Sequence, residues 1–282
     1  MRYTNNLTGT NYRADQLSFG FWVRFWVKKY RGRSGYTGCM IANGRRRKLP
    51  YDADAALTHL RAADRKLAGL IEKAGPFTLR LGYAGTPFTS LLESIVYQQL
   101  HGKAAATIHQ RVRAIYGDAD PTPEMLLATP EEQLRAAGLS GNKLAAMRDL
   151  AARTLDGIVP TQRAIQRMSD EEIVERLTEV RGIGKWTVEM LLLFRLGRPD
   201  VFPATDYGVR KGFALTFLRL RGAVAAEDLP TPDQMLKRAR RWMPYRSVAT
   251  WYLWRACDLA RAGQADAGKT RQPAGRKKGG RA

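Results

Sequence analysis

Asp206 is the side chain best placed to do chemistry. It sits in Val201-Phe202-Pro203-Ala204-Thr205-Asp206-Tyr207-Gly208-Val209-Arg210-Lys211. Pro203 enforces an extended lead-in, so Thr205 or Asp206 opens a helix whose first turn carries the acid. Taken alone, an Asp at a helix start is usually a cap for free N–H groups. Placed against a developing cation, the same carboxylate could stabilise charge or draw a proton from water.

Upstream lies Leu177-Thr178-Glu179-Val180-Arg181-Gly182-Ile183-Gly184-Lys185-Trp186-Thr187-Val188-Glu189-Met190. An amphipathic helix runs into Gly-Ile-Gly and then into a nearly all-apolar helix. Two glycines two apart permit a tight turn and leave the backbone uncovered. The N–H groups at the start of the second helix, with its dipole, suit a phosphate. Lys185 adds charge there, and Ile183 is expected to plug the gap between the helices. Gly-x-Gly alone is equally an ordinary turn between helices with a glycine C-cap.

The elements that must position these residues are helical. Thr129-Pro130-Glu131-Glu132, Ser169-Asp170-Glu171-Glu172 and Thr231-Pro232-Asp233-Gln234 have the form of capping boxes. Apolar residues recur at helical spacing, as in Ala105, Ile108, Val112 and Ile115, or Leu144, Met147 and Leu150. The pattern predicts helices near 53–74, 88–116, 122–127, 130–136, 141–155, 162–167, 170–179, 185–196, 206–217, 232–240 and 246–261. Alternating strand patterns are absent, so the fold class is all-α.

The formal charge of +21 is unevenly spread over the 282 residues. Residues 1–50 carry 11 Lys and Arg against one acid, and residues 261–282 carry 7 against one. Between them 29 basic residues face 24 acids. Basic ends attract nucleic acid without sequence preference, and equally are solvated tails. Residues 1–50 read as a disordered extension, 51–262 as the helical core and 263–282 as a flexible tail. The apolar patch 19–27 is too short for a membrane span and is broken by Arg24. A cytoplasmic protein with no membrane partner, held at the bacterial nucleoid through DNA, is expected. Two cysteines, Cys39 and Cys257, cannot supply a disulfide framework or a four-cysteine metal site.

The hairpin string resembles the helix–hairpin–helix motif, with Val188 replacing the usual Ala. Followed by Pro203-x-x-Asp206, it resembles the base-excision DNA glycosylases, a superfamily that includes endonuclease III and the bacterial 3-methyladenine DNA glycosylase II of AlkA type. Leu91-Leu92-Glu93-Ser94-Ile95-Val96-Tyr97-Gln98-Gln99-Leu100 and Ala137-Gly138-Leu139-Ser140-Gly141-Asn142-Lys143 match further family stretches. The resemblance implies a two-lobed helical bundle, its site in the cleft between lobes and its hairpin at 170–196. It makes Asp206 the catalytic carboxylate and double-stranded DNA with alkylated bases the partner, with a monomer expected. Bifunctional members carry a Schiff-base lysine where this chain has Trp186. Lys185 stands one residue early, about 100° round the helix, so no lyase activity is expected. Endonuclease III also uses four cysteines for an iron–sulfur cluster, which Cys257 alone cannot provide.

Gly-Ile-Gly-Lys-Trp-Thr resembles the AlkA type, as does Trp242-Met243-Pro244-Tyr245-Arg246-Ser247 with Trp251 and Trp254. Residues 1–50 do not read as the β-rich domain of some AlkA enzymes, so the short form fits. Met190 departs from the aromatic usual at its position. The resemblance assigns Gln99 to the gap left by a flipped base. Trp186 and Trp254, helped by Tyr97 and Tyr207, are candidates for an aromatic pocket that attracts cationic alkylpurines. Gly182, Ile183, Gly184, Lys185 and Thr187 would hold the DNA backbone. No cofactor is required; a structural Na+ or K+ on the carbonyls of Thr178, Val180 and Ile183 is implied. The alternatives are a glycosylase for another damaged or mispaired base, or a non-catalytic DNA-binding protein.

Overall fold

The computed structural model describes residues 48–82, 85–100, 102–218 and 228–270. Most of the 1–50 extension and residues 271–282 of the tail therefore lie outside the described residues, as does Cys39. The described residues are helical and include no strand. No helix among them is long and apolar enough to cross a membrane.

Local chemistry explains where the helices begin. α1 (Ala53–Ala63) starts at Asp52, whose carboxylate accepts N–H groups of Asp54 and Ala55. α2 (Arg65–Ala74) starts at Asp64, which bonds the N–H groups of Lys66 and Leu67. The single helix expected over 53–74 is thus two, because the Asp64 carboxylate outcompetes continued helix for those donors. A second expected helix, 88–116, is also divided. α3 (Pro87–Tyr97) ends at Gln98 in an extended conformation, Gln99 is left-handed at φ 55°, and α4 (Gly102–Ala114) follows.

α5 (Pro123–Ala128) and α6 (Glu131–Ala136) meet at Thr129. Thr129 was expected to cap α6. Its hydroxyl is taken by the preceding turn instead, donating to the Met125 carbonyl at 2.7 Å and pairing with the Tyr116 hydroxyl. Pro130 then opens α6 without a side-chain cap. α7 (Gly141–Leu155) and α9 (Asp170–Thr178) are capped by Ser140 and Ser169, with the short α8 (Gln162–Ile165) between them. α10 (Lys185–Leu191) widens into a π turn over Leu192–Leu196. α11 (Tyr207–Phe217) follows, then α12 (Pro232–Ala239), where Thr231 and Gln234 form a complete capping box. A 3-10 turn, Arg240–Trp242, leads to α13 (Arg246–Thr270), which runs past the expected end at 261 into the stretch read as tail.

α11 lies along α13, α7 packs on α3 and α5, and α1 and α2 return against α13. Leu60, Leu67, Leu91, Ile95, Met147, Leu150, Trp242 and Tyr252 are fully buried in one continuous core. Asp64 joins its ends. Besides capping α2, it receives two 2.8 Å bonds from Arg238 and one of 3.2 Å from the Trp242 indole. Arg238 in turn lies 4.1 Å over the Phe217 ring.

Candidate active site

Asp206 is both a cap and a buried acid. It precedes α11, and its Oδ1 accepts the Val209 N–H at 2.7 Å. Its relative exposure is 0%. Two indoles also converge on it: Trp254 donates to Oδ1 and Trp186 to Oδ2, each at 2.9 Å. Burial pushes the carboxyl above its ordinary range, while Trp254, the Val209 N–H, Trp186 and the Gly208 N–H pull it down. Four donors aimed at one carboxylate offset part of what burial costs its ionised form.

Each donor has its own support. Trp186 is half-buried in the first turn of α10. Trp254 is buried on α13, one face stacked on Phe194 with centroids 5.7 Å apart and planes 17° apart. The indole edge reaches Asp206 because residue 208 is glycine. A Cβ there would lie 2.9 Å from Trp254 Cδ1 and 3.1 Å from Asp206 Oδ1. One turn on, a Cβ at Gly212 would stand 1.9 Å from the Leu253 carbonyl oxygen. The pair Gly208 and Gly212 lets α11 meet α13 backbone to backbone, which brings Trp254 to the acid.

The lead-in to Asp206 is fastened to the start of α13. Ser247 Oγ accepts the Val201 N–H at 2.9 Å and donates to the Arg198 carbonyl at 2.6 Å. Arg246 holds Asp200 with both arms, at 2.7 and 2.8 Å. This accounts for the Arg246-Ser247 part of the motif. Glu189, on α10, is buried with Oε2 lacking a hydrogen-bond partner. Burial raises it to about 7; Lys185 opposes and Asp206 reinforces the rise.

Gly182 has φ 77°, a left-handed conformation that glycine adopts without strain. Ile183 is buried and its N–H goes to the Val180 carbonyl at 3.0 Å. Gly184 caps α10 without a side chain, and Lys185 is exposed beside it. Thr187 is 6% exposed, and its N–H donates to the Gly184 carbonyl at 2.9 Å. Gln99 is exposed.

Of the four aromatic candidates, Trp186 and Trp254 meet at Asp206. Tyr97 is buried edge-on to His109 at 5.9 Å. Tyr207 packs on Ala214 and Leu229. The carbonyl-bearing residues Thr178, Val180 and Ile183 lie at the end of α9 and in the turn after it. Neutral oxygens at a helix C-terminus suit a monovalent cation. Cys257 is buried, its thiol donating to the Gly208 carbonyl and pushed up to about 12 by burial.

Gly208, Gly212 and Phe194 escaped the sequence reading. The first two left a signal, since Gly-x-x-x-Gly beginning two residues after the acid places both glycines on one helix face.

A hairpin of two helices beside a buried, indole-held acid is the build of a helical DNA base-excision protein. The sequence profile of the HhH-GPD superfamily base excision DNA repair proteins matches residues 92–244. The chain belongs to that superfamily. It is 39% identical over 175 residues to DNA-3-methyladenine glycosylase 1 of Schizosaccharomyces pombe, covering 62% of this chain and 74% of that one. A solved structure of a 3-methyladenine DNA glycosylase from the same organism, in complex with abasic DNA, superposes with a TM-score of 0.62 at 36% identity. That match covers 73% of this chain and 98% of the other. A DNA-3-methyladenine glycosidase from Bacillus halodurans superposes with a TM-score of 0.65 at 33% identity, covering 73% and 91%.

Proposed function

We propose that this chain is a monofunctional DNA glycosylase hydrolysing the N-glycosidic bond of alkylated purines, of 3-methyladenine and 7-methylguanine type, in double-stranded DNA. The observation that carries this reading is the Asp206 carboxylate, fully buried yet held by Trp186 and Trp254 at 2.9 Å each. A cap needs the Val209 bond alone; two indoles add nothing to capping and much to holding a charged acid. The relatives named for 3-methyladenine support the substrate class.

The lesion must leave the stack to reach such an acid, and Gln99 fills the space it vacates. N-alkylation makes the purine cationic, so the base departs neutral when the C1′–N bond breaks and a general acid is not needed. Asp206 stabilises the oxocarbenium-like sugar, then takes a proton from the water that bonds to C1′. Trp186, the more accessible indole, offers its ring to the cationic base. The N–H groups at the head of α10, with Lys185, take the DNA backbone. A monovalent cation at the carbonyls of Thr178, Val180 and Ile183 would supply positive charge toward the same phosphates. No lysine stands where a Schiff base would form, so the strand is left intact.

The test incubates the protein and its Asp206→Asn variant with methylated DNA and identifies released bases. Release of 3-methyladenine or 7-methylguanine by wild type alone is expected. Equal release by both proteins, none by either, or strand nicking without added alkali would overturn the reading.

A further inference from the structure

The end of α3 and the hairpin are separate in sequence but share a support. Gln98 Nε2 donates to the Gly182 carbonyl at 2.9 Å, across 84 residues. Two residues earlier, the Val96 carbonyl accepts from Lys143 Nζ at 2.6 Å. Lys143 lies in the first turn of α7. From the same helix, Ala146 Cβ sits 3.2 Å from where a Gly182 Cβ would be, and Asp149 Oδ2 accepts the Arg181 N–H at 2.7 Å. Lys143, Ala146 and Asp149 are spaced by three and form one face. That face touches α3 first and the hairpin next.

Gln99 immediately follows this fastening. Its φ of 55° is a conformation that a non-glycine residue keeps only when its surroundings impose it. The Gln98 bond fixes the residue before it, and the Lys143 bond fixes the helix end before that. Burial brings Lys143 down to about 8, in keeping with an ammonium enclosed at a helix C-terminus.

We infer that Gln98 and Lys143 are positioning residues for base extrusion: with α7 as a splint, they hold Gln99 at a fixed height above the hairpin, so that seating the hairpin on the phosphates drives Gln99 into the stack. This rests on the glycosylase reading in assigning Gln99 to the duplex. Neither residue touches the reacting atoms. Their contribution is to the opening of a paired base and not to bond cleavage.

Two measurements test this. The first uses no chemistry. A duplex with a stable abasic analogue and an adjacent 2-aminopurine reports unstacking by fluorescence when Gln99 enters. Wild type should raise the signal. Gln98→Met, which keeps the length but not the donor, should bind this duplex yet raise the signal several-fold less, and Gln98→Lys should restore it. A signal from Gln98→Met equal to wild type overturns the inference, whatever the enzyme excises. The second compares single-turnover excision of 7-methylguanine from a paired duplex and from an unpaired bulge. Gln98→Met and Lys143→Met should lose roughly three- to tenfold on the duplex, the worth of one hydrogen bond. On the bulge, where extrusion is already done, they should stay within about twofold of wild type. Equal losses on both substrates would mean that the residues serve folding or chemistry, and the inference fails. Wild type inactive on both would refute the glycosylase reading and leave the fluorescence result to decide the positioning role.

Discussion

Gly212 and Leu253 meet without a side chain between them: a Cβ on Gly212 would lie 1.9 Å from the Leu253 carbonyl oxygen and 2.6 Å from its carbon. Backbone cannot yield as a flexible side chain can. Gly212→Ala should therefore force α11 off α13, costing about 3 kcal/mol, the upper end for overpacking. A thermal melt should show Tm falling by many degrees, or no folded protein. Gly208→Ala instead presses on the Trp254 indole and the Asp206 carboxylate, so its activity should fall more than its Tm. Unchanged stability in Gly212→Ala would contradict the packing described.

Replacing Trp254 by Phe keeps the stack on Phe194 and removes the N–H bonded to Asp206. A hydrogen bond to a charged acceptor contributes about 1.5–3 kcal/mol, so kcat should drop roughly ten- to a hundredfold. The sign of the pH effect follows from the same bond. Trp254 and Trp186 both lower the Asp206 pKa; losing either lets burial raise it further. The acid limb of the kcat pH profile should move to higher pH in Trp254→Phe and in Trp186→Phe. A limb that moves to lower pH, or stays, would refute the assigned roles.

Glu189 gives the fold itself a pH dependence. It ionises near 4.5 when free and near 7 in the fold, because burial disfavours its charge. Across that window the folded chain binds more protons than the unfolded one, so stability is full below about 4.5 and declines as pH rises through 7. Glu189→Gln should flatten this part of the stability curve and gain roughly 1–3 kcal/mol at pH 8. Urea denaturation at pH 5 and pH 8 measures both; a variant that loses stability at pH 8 would refute the account.

Ser247→Ala removes one hydroxyl with two partners, the Val201 N–H and the Arg198 carbonyl. Leaving the buried Val201 donor unsatisfied should cost about 1–3 kcal/mol. Because these bonds fasten the approach to Asp206, kcat should fall as well while DNA affinity stays near wild type. A fall in affinity with kcat intact would place the residue elsewhere in the mechanism.

The sequence was legible where chemistry is local. Ser140, Ser169 and Thr231 cap helices as their types suggest, and α7 occupies the expected 141–155. Asp206 opens α11, as its place after Pro203 implied. Legibility failed where one group had two claimants. Thr129 could serve the helix before or after it, and Asp64 could be one more polar residue on a long helix or the start of a new one. The left-handed Gln99 was hidden because Gln is not a turn residue, and the bonds that flank it, from Gln98 to Gly182 and from Lys143 to Val96, are tertiary. At the site, Trp186 and Trp254 were expected to matter by their ring faces. Both use their N–H edges on Asp206, and for Trp254 it is the approach of α11 to α13 that determines this.

The Asp64 hub bears on the order in which the molecule comes together. Its partners Arg238 and Trp242 lie 174 and 178 residues downstream. Contacts of such long sequence separation close late, after the loop between them has been drawn in. By contrast α3, α7 and the hairpin are joined over shorter spans. On this order the faces of α1 and α2 that meet α13 would be covered only once α13 has left the ribosome. A nascent chain released too soon would carry a formed hairpin and no enclosed acid. Pulse-labelled hydrogen exchange during refolding should find α7 protected before α2, and the reverse order would exclude this sequence of events.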